Sequence, residues 1–187
     1  ALRFFRIATF SGVVSAFLFA IDGFRAPYQL LLGVPVIWFG VFFGIGRALA
    51  ALMLAYSGQI HRLIGDVYSF QRTQIVVYGI FFLIIGLVTN PWVVVVVFVL
   101  DNALKYGTSQ VDTGYQLDVI RNNKFKATLL SAGNQIQNII SMCAVGFMGL
   151  SGERFGYRYS FLLFAVVFLF TLIPLHFYTV RHRPLVG

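Results

Sequence analysis

Charge is scarce in this chain: 11% of its 187 residues are Asp, Glu, Lys or Arg, against 59% hydrophobic, and the mean hydropathy is +0.84. That mix excludes an ordinary soluble globular domain. Cysteine is limited to Cys143, and histidine to His61, His176 and His182. One cysteine inside an apolar stretch gives no disulfide framework, and three distant histidines have no metal-ligand spacing. No G-x-S-x-G, H-E-x-x-H or P-loop pattern occurs. We therefore expect no catalytic residues, no metal and no cofactor, and the chain does not read as an enzyme.

What the chain does have is apolar length. The uncharged runs 73–100, 127–152 and 159–180 each exceed the roughly 18 residues that mark a transmembrane helix. Thr89-Asn90-Pro91 divides the first run with turn chemistry. The pattern predicts one domain over residues 1–187, with spans at 5–23, 34–56, 73–88, 91–113, 126–150 and 159–180. The fold class expected is all-α membrane, six transmembrane helices arranged as two inverted three-helix repeats. The start at Ala1 suggests a processed or cut chain, and five spans after the first argue against a signal peptide.

The net charge of +8 and pI of about 10.0 raise the question of nucleic acid. The placement of the charge argues against it. Arg3, Arg6, Arg62, Arg72, Arg121, Lys124, Lys126, Arg181 and Arg183 fall in the tails and even-numbered loops, against Arg25, Arg154 and Arg158 in the odd-numbered ones. The positive-inside rule then puts both termini in the cytoplasm of an integral, multi-pass protein, with the plasma (inner) membrane the expected site. Lipid is the expected partner, and nucleic acid is not.

The polar residues inside the spans are unevenly distributed. Asp22, Arg47, Asp101, Asn102 and Lys105 lie in or beside spans one, two and four, and span five carries Asn134, Gln135, Gln137 and Asn138. Spans three and six are uncharged. An ionisable group in hydrocarbon costs about 2.5–3.5 kcal/mol on insertion scales and so faces a bundle interior or wet cavity. Four cavity-lining helices and two lipid-facing ones are expected.

Asp101 lies about 15 Å below Pro91 at the helical rise, close to a bilayer midplane. Lys105, Thr108 and Asp112 continue its face. Two roles are open for Asp101 and Lys105: a pair that only neutralises itself, or part of an ion or substrate pathway. Arg47 is open between snorkelling to the cytoplasmic interface and a site role, and Asp22 between solvation at the outer face and a site role. Ser131, Asn134, Gln135, Asn138 and Ser141 form a stripe suited to cavity lining or to gluing helices together. Gly40-x-x-x-Gly44 with Ala48 reads as close helix packing. Trp38 and Trp92 read as interface anchors, and Tyr106 and Tyr115 as cavity candidates.

An internal echo links the halves. Ser57-Gly58 through Arg62 to Gly65, then Tyr68-Ser69-Phe70, returns as Ser151-Gly152 through Arg154 to Gly156, then Tyr159-Ser160-Phe161. Three spans per half would put the copies on opposite faces, as inverted repeats do.

With Pro27-Tyr28-Gln29 and Gly33-Val34-Pro35, the Gly58…Arg62…Gly65 loop, and Arg121 with Ala127-Thr128-Leu129-Leu130-Ser131 and Asn134, the chain resembles helices seven to twelve of a major facilitator superfamily transporter. Gln59 and His61 depart from the family's loop pattern. The resemblance implies secondary active transport of a small solute by alternating access, as symport or antiport with a possible coupling proton or cation. The other partner it implies is a missing amino-terminal six-helix half. The competing classes are a non-transporting six-helix scaffold or receptor-like domain, and an ATP-driven exporter domain. The short loops argue against the exporter.

Overall fold

The computed structural model describes residues 2–120 and 126–181. Arg121, Lys124, His182 and Arg183, and the side chain of Arg3, lie outside the described residues. Eight helical segments follow one another: α1 (Leu2–Leu31), α2 (Ile37–Ala55), α3 (Ser57–Ile64), α4 (Val67–Leu87), α5 (Pro91–Gly107), α6 (Ser109–Val119), α7 (Lys126–Phe155) and α8 (Tyr157–Arg181). No strand occurs among the described residues. Five stretches are long and apolar enough to cross a membrane: Phe4–Leu31, Ile37–Ala55, Val67–Leu87, Pro91–Val119 and Tyr157–Arg181.

These counts correct the expected six. The loop after α2 coils into the short amphipathic α3. Span four breaks at Thr108, whose Oγ1 donates to the Leu104 carbonyl at 2.8 Å, and continues as α6. The fifth stretch is a 30-residue helix, but its run of amides leaves it too polar to count among the apolar spans.

Local chemistry sets the helix ends. Asp66 caps α4 by accepting from the Ser69 N–H at 2.8 Å, and Asn90 caps α5 by accepting from the Trp92 N–H at 3.0 Å. Pro91 takes the first turn of α5, where its missing N–H costs nothing. Gly65 (φ 83°) and Gly156 (φ 79°) turn the chain into α4 and α8 through a conformation that other residues adopt only with strain. Each is followed at the fifth position by a buried phenylalanine, Phe70 and Phe161. The echo read in the sequence is thus a repeated turn with a repeated anchor. Arg158, expected as a loop charge, sits in α8 and donates to the carbonyls of Gly86 and Leu87 at 3.2 and 3.1 Å, closing the end of α4.

Helix pairing is specific. α1 packs along α7, α2 along α5, and α4 along α8. The centre is aromatic: Phe17 meets Phe164 and Phe168 at 4.5 and 5.3 Å, and Phe82 meets Phe168 at 4.8 Å. Offset and edge-on ring pairs of this kind add to their area burial. α1 is the hub, with 72% of its apolar window buried within the chain, whereas α2 is outermost with 11%.

α4 and α8, expected to face lipid, supply much of the core with one face and expose apolar side chains such as Val76, Ile80, Phe170 and Phe177 on the other. Gly40, Gly44 and Ala48 are exposed, and a Cβ added at either glycine would meet no atom within 4 Å among the described residues, so the stripe expected to pack closely does not do so here. α2 instead docks through Gly46 and Ala50, where a Cβ on Gly46 would stand 3.2 Å from the Val99 carbonyl oxygen of α5.

Candidate functional site

α1 extends to Leu31, through Pro27, rather than stopping at 23. Asp22 consequently lies about 13 Å from the C-terminal end of its helix, and Arg25 lies in the helix, not in a loop. Arg47 is about 15 Å below Ile37 on α2, and Lys105 about 21 Å below Pro91 on α5. The three helices therefore bring these groups to neighbouring levels.

The expected Asp101–Lys105 pairing is not the one formed. Lys105 Nζ lies 2.5 Å from Asp22 Oδ2, and both side chains are mostly buried (14% and 22% exposed). The Tyr106 hydroxyl lies 3.5 Å from the same oxygen. Lys105 reaches from α5 toward α1, while the side chain of Asp101, one turn earlier, turns into the bundle. Asp101 is 1% exposed and its Oδ1 has no partner among the described residues. Asn102 is equally buried, with both amide atoms unpartnered, close to Gly46 of α2. Three orphaned polar atoms on adjacent residues are unusual, since buried polar groups are nearly always paired.

Arg47 joins the cluster through aromatic faces. Its Cζ stands 3.4 Å from the Tyr106 ring centroid and 4.8 Å from that of Phe43. Arg25 lies over the same Phe43 at 5.0 Å. Lys105 Nζ is 5.7 Å from the Phe19 ring.

On the other side of Lys105, a cavity of about 290 Å³ opens between α1, α4, α5, α6 and α7. Ser15, Gln74, Lys105, Asp112, Asn134 and Gln137 give it polar walls. Asp112 is held there by the Ser11 hydroxyl at 2.7 Å and the Gln116 amide at 3.0 Å. A second, wider concavity of about 710 Å³ lies between α1 and α7, lined by Phe19, Gln137, Asn138 and Met142 among others.

The structure thus brings together Asp22, Lys105 and Arg47, with Asn134 in the adjoining cavity. It splits the rest of the α7 stripe: Gln135 and Ser131 face outward, while Asn138 and the buried Ser141 both line the wider concavity. α4 lines the cavity through Gln74 and Tyr78, and α2 does not line it, the reverse of the expectation for these two helices. Tyr115 is no cavity residue, since it stacks on His61 at 4.3 Å and packs against Phe70. Arg25 was missed because Pro27 reads as a helix stop. A proline inside an apolar membrane helix is tolerated, and that was the available signal.

No protein-family model, no curated protein and no solved structure matches the chain.

Proposed function

We propose that the chain is one half of a secondary transporter of the major facilitator superfamily type, moving a small solute by alternating access. The observation that carries this is the ion pair between Asp22 of α1 and Lys105 of α5. A charge pair so far inside two apolar spans is costly to keep and marks a pathway more often than a packing contact.

Helix pairing supports the same view. Take α1, α2 and α4 as one unit, and α5–α6, α7 and α8 as the other. Exchanging the units turns the α1–α7 contact into α5–α2 and leaves α4–α8 unchanged. An inverted repeat about an axis in the membrane plane has this property, although the α7–α8 packing has no substantial α2–α4 counterpart. The ion pair then joins the first helix of each unit.

The face carrying Phe19, Arg47, Tyr106, Asn134 and Asn138 would meet the missing amino-terminal half, with both termini in the cytoplasm. Rocking of the halves would open the Lys105 region to each side in turn. Asp101, buried with no ion-pair contact of its own among the described residues, is the group that takes up a coupling proton or cation, with Asn102 beside it. The Asp22–Lys105 pair and Asn134 line the path.

Two-sided accessibility tests this without knowledge of the solute. In the full-length protein with Cys143→Ala, Phe19→Cys should react with an impermeant thiol reagent added from either side of sealed vesicles. Reaction from one side only, or from neither, would count against alternating access and favour the scaffold class.

A further inference from the structure

The charge balance of the site names a ligand class. Lys105 is neutralised by Asp22. Arg25 and Arg47 are not: among the described residues neither guanidinium has a hydrogen bond or a carboxylate within ion-pair distance. Each makes only ring contacts, and both lie within 5.0 Å of the Phe43 centroid, so they are at most about twice that far apart. Asp101, buried in the bundle, is within electrostatic reach of Arg25 but forms no ion pair with either guanidinium among the described residues. A guanidinium stacked on a ring keeps its N–H edge free, and that edge matches the paired oxygens of a carboxylate or phosphate.

The two arginines also come from helices that barely touch. α1 and α2 share no substantial interface and are held together through α5. A bound anion would complete the contact that the protein leaves open.

We propose that the solute carries an anionic oxygen group, a carboxylate or a phosphate, and that Arg47 and Arg25 receive it between α1 and α2, a proposal that rests on the transporter reading above. Tyr106 positions Arg47 by stacking at 3.4 Å and ties it to the Asp22–Lys105 pair. The solute therefore sits one side chain away from the group whose pairing changes during the cycle.

The test is direct binding, separate from transport. Full-length protein in nanodiscs of phosphatidylcholine alone is titrated calorimetrically, at low salt, with succinate and with glycerol 3-phosphate, and succinamide serves as the uncharged control. Saturable binding of at least one anion is expected, with none of succinamide. Arg47→Gln should weaken it tenfold or more. Arg47→Lys should weaken it less, because it keeps the charge and loses the fork. Arg25→Gln should also weaken it. All three variants must elute as monodisperse particles with unchanged helicity.

Equal affinity in Arg47→Gln, equal binding of succinamide, or no heat and no thermal stabilisation from either anion would overturn the proposal. Loss of solute binding when phosphatidylglycerol is added to the disc would assign the site to a lipid phosphate and overturn it as well. Anion binding without two-sided accessibility would sink the transporter reading and leave this site standing. Two-sided accessibility without anion binding would do the opposite.

Discussion

Lys105 Nζ meets Asp22 Oδ2 at 2.5 Å across the α1–α5 contact, while Asp101, one turn away on the same helix as Lys105, keeps Oδ1 unpartnered. Two carboxyls and one ammonium thus share a small region, and the ammonium has gone to the distant residue in sequence. The unpaired carboxyl is the one sealed in the bundle.

The pair predicts a stability cycle. Asp22→Asn leaves Lys105 as a buried unpaired charge and should destabilise the protein by about 3–5 kcal/mol. Adding Lys105→Met should recover most of that loss, because the neutral pair needs no counter-charge. Thermal or denaturant unfolding in detergent measures both. Equal stability of the single and wild-type proteins would mean that the two groups do not pair.

Asp101 predicts a different outcome. Its Oδ1 has no bond to lose, so Asp101→Asn should change stability by less than about 1 kcal/mol. It should nevertheless abolish gradient-driven accumulation while leaving exchange intact, since the titratable proton is gone. Full accumulation by the mutant under an imposed pH gradient would remove Asp101 from coupling.

Much of the helical class was legible beforehand, because long uncharged runs have few alternatives in water or lipid. The turn at Asn90-Pro91 was legible for a similar reason, since cap and proline act locally. The cavity face of α5 was partly legible: Lys105, Thr108 and Asp112 share a helical face and line one cavity, but Asp101 leaves that face for the core. What was not legible was helix rotation. Gly40–Gly44 and Gly46–Ala50 are both small-residue pairs on α2, and only the partner helix decides which of them docks. The partner of Lys105 was hidden for the same reason, because Asp22 is 83 residues away.

The α2 register gives a prediction of its own. Gly46→Ala places a Cβ 3.1 Å from Asn102 Oδ1 and 3.2 Å from the Val99 carbonyl oxygen, and this overpacking should cost about 1–3 kcal/mol. Gly40→Ala and Gly44→Ala meet no atom within 4 Å and, because alanine is the better helix former, should leave stability unchanged or raise it by up to about 1 kcal/mol. Unfolding of the three variants side by side decides. The reverse ranking would mean that α2 docks through its other face.

Topology is checked with cysteines in a Cys143→Ala background of the full-length protein. Gly33→Cys and Asn90→Cys should label with an impermeant reagent from outside intact cells, and Gly58→Cys should not. The reverse pattern would invert the orientation and with it the assignment to helices seven to twelve.

The central claim is that the Asp22–Lys105 pair serves transport and not merely assembly. Accumulation by the full-length double variant Asp22→Asn with Lys105→Met, in vesicles under a pH gradient, tests this most directly. The account predicts that the double variant regains stability yet fails to accumulate solute. Recovery of wild-type accumulation together with stability would show that the pair only holds α1 to α5, and would contradict the claim.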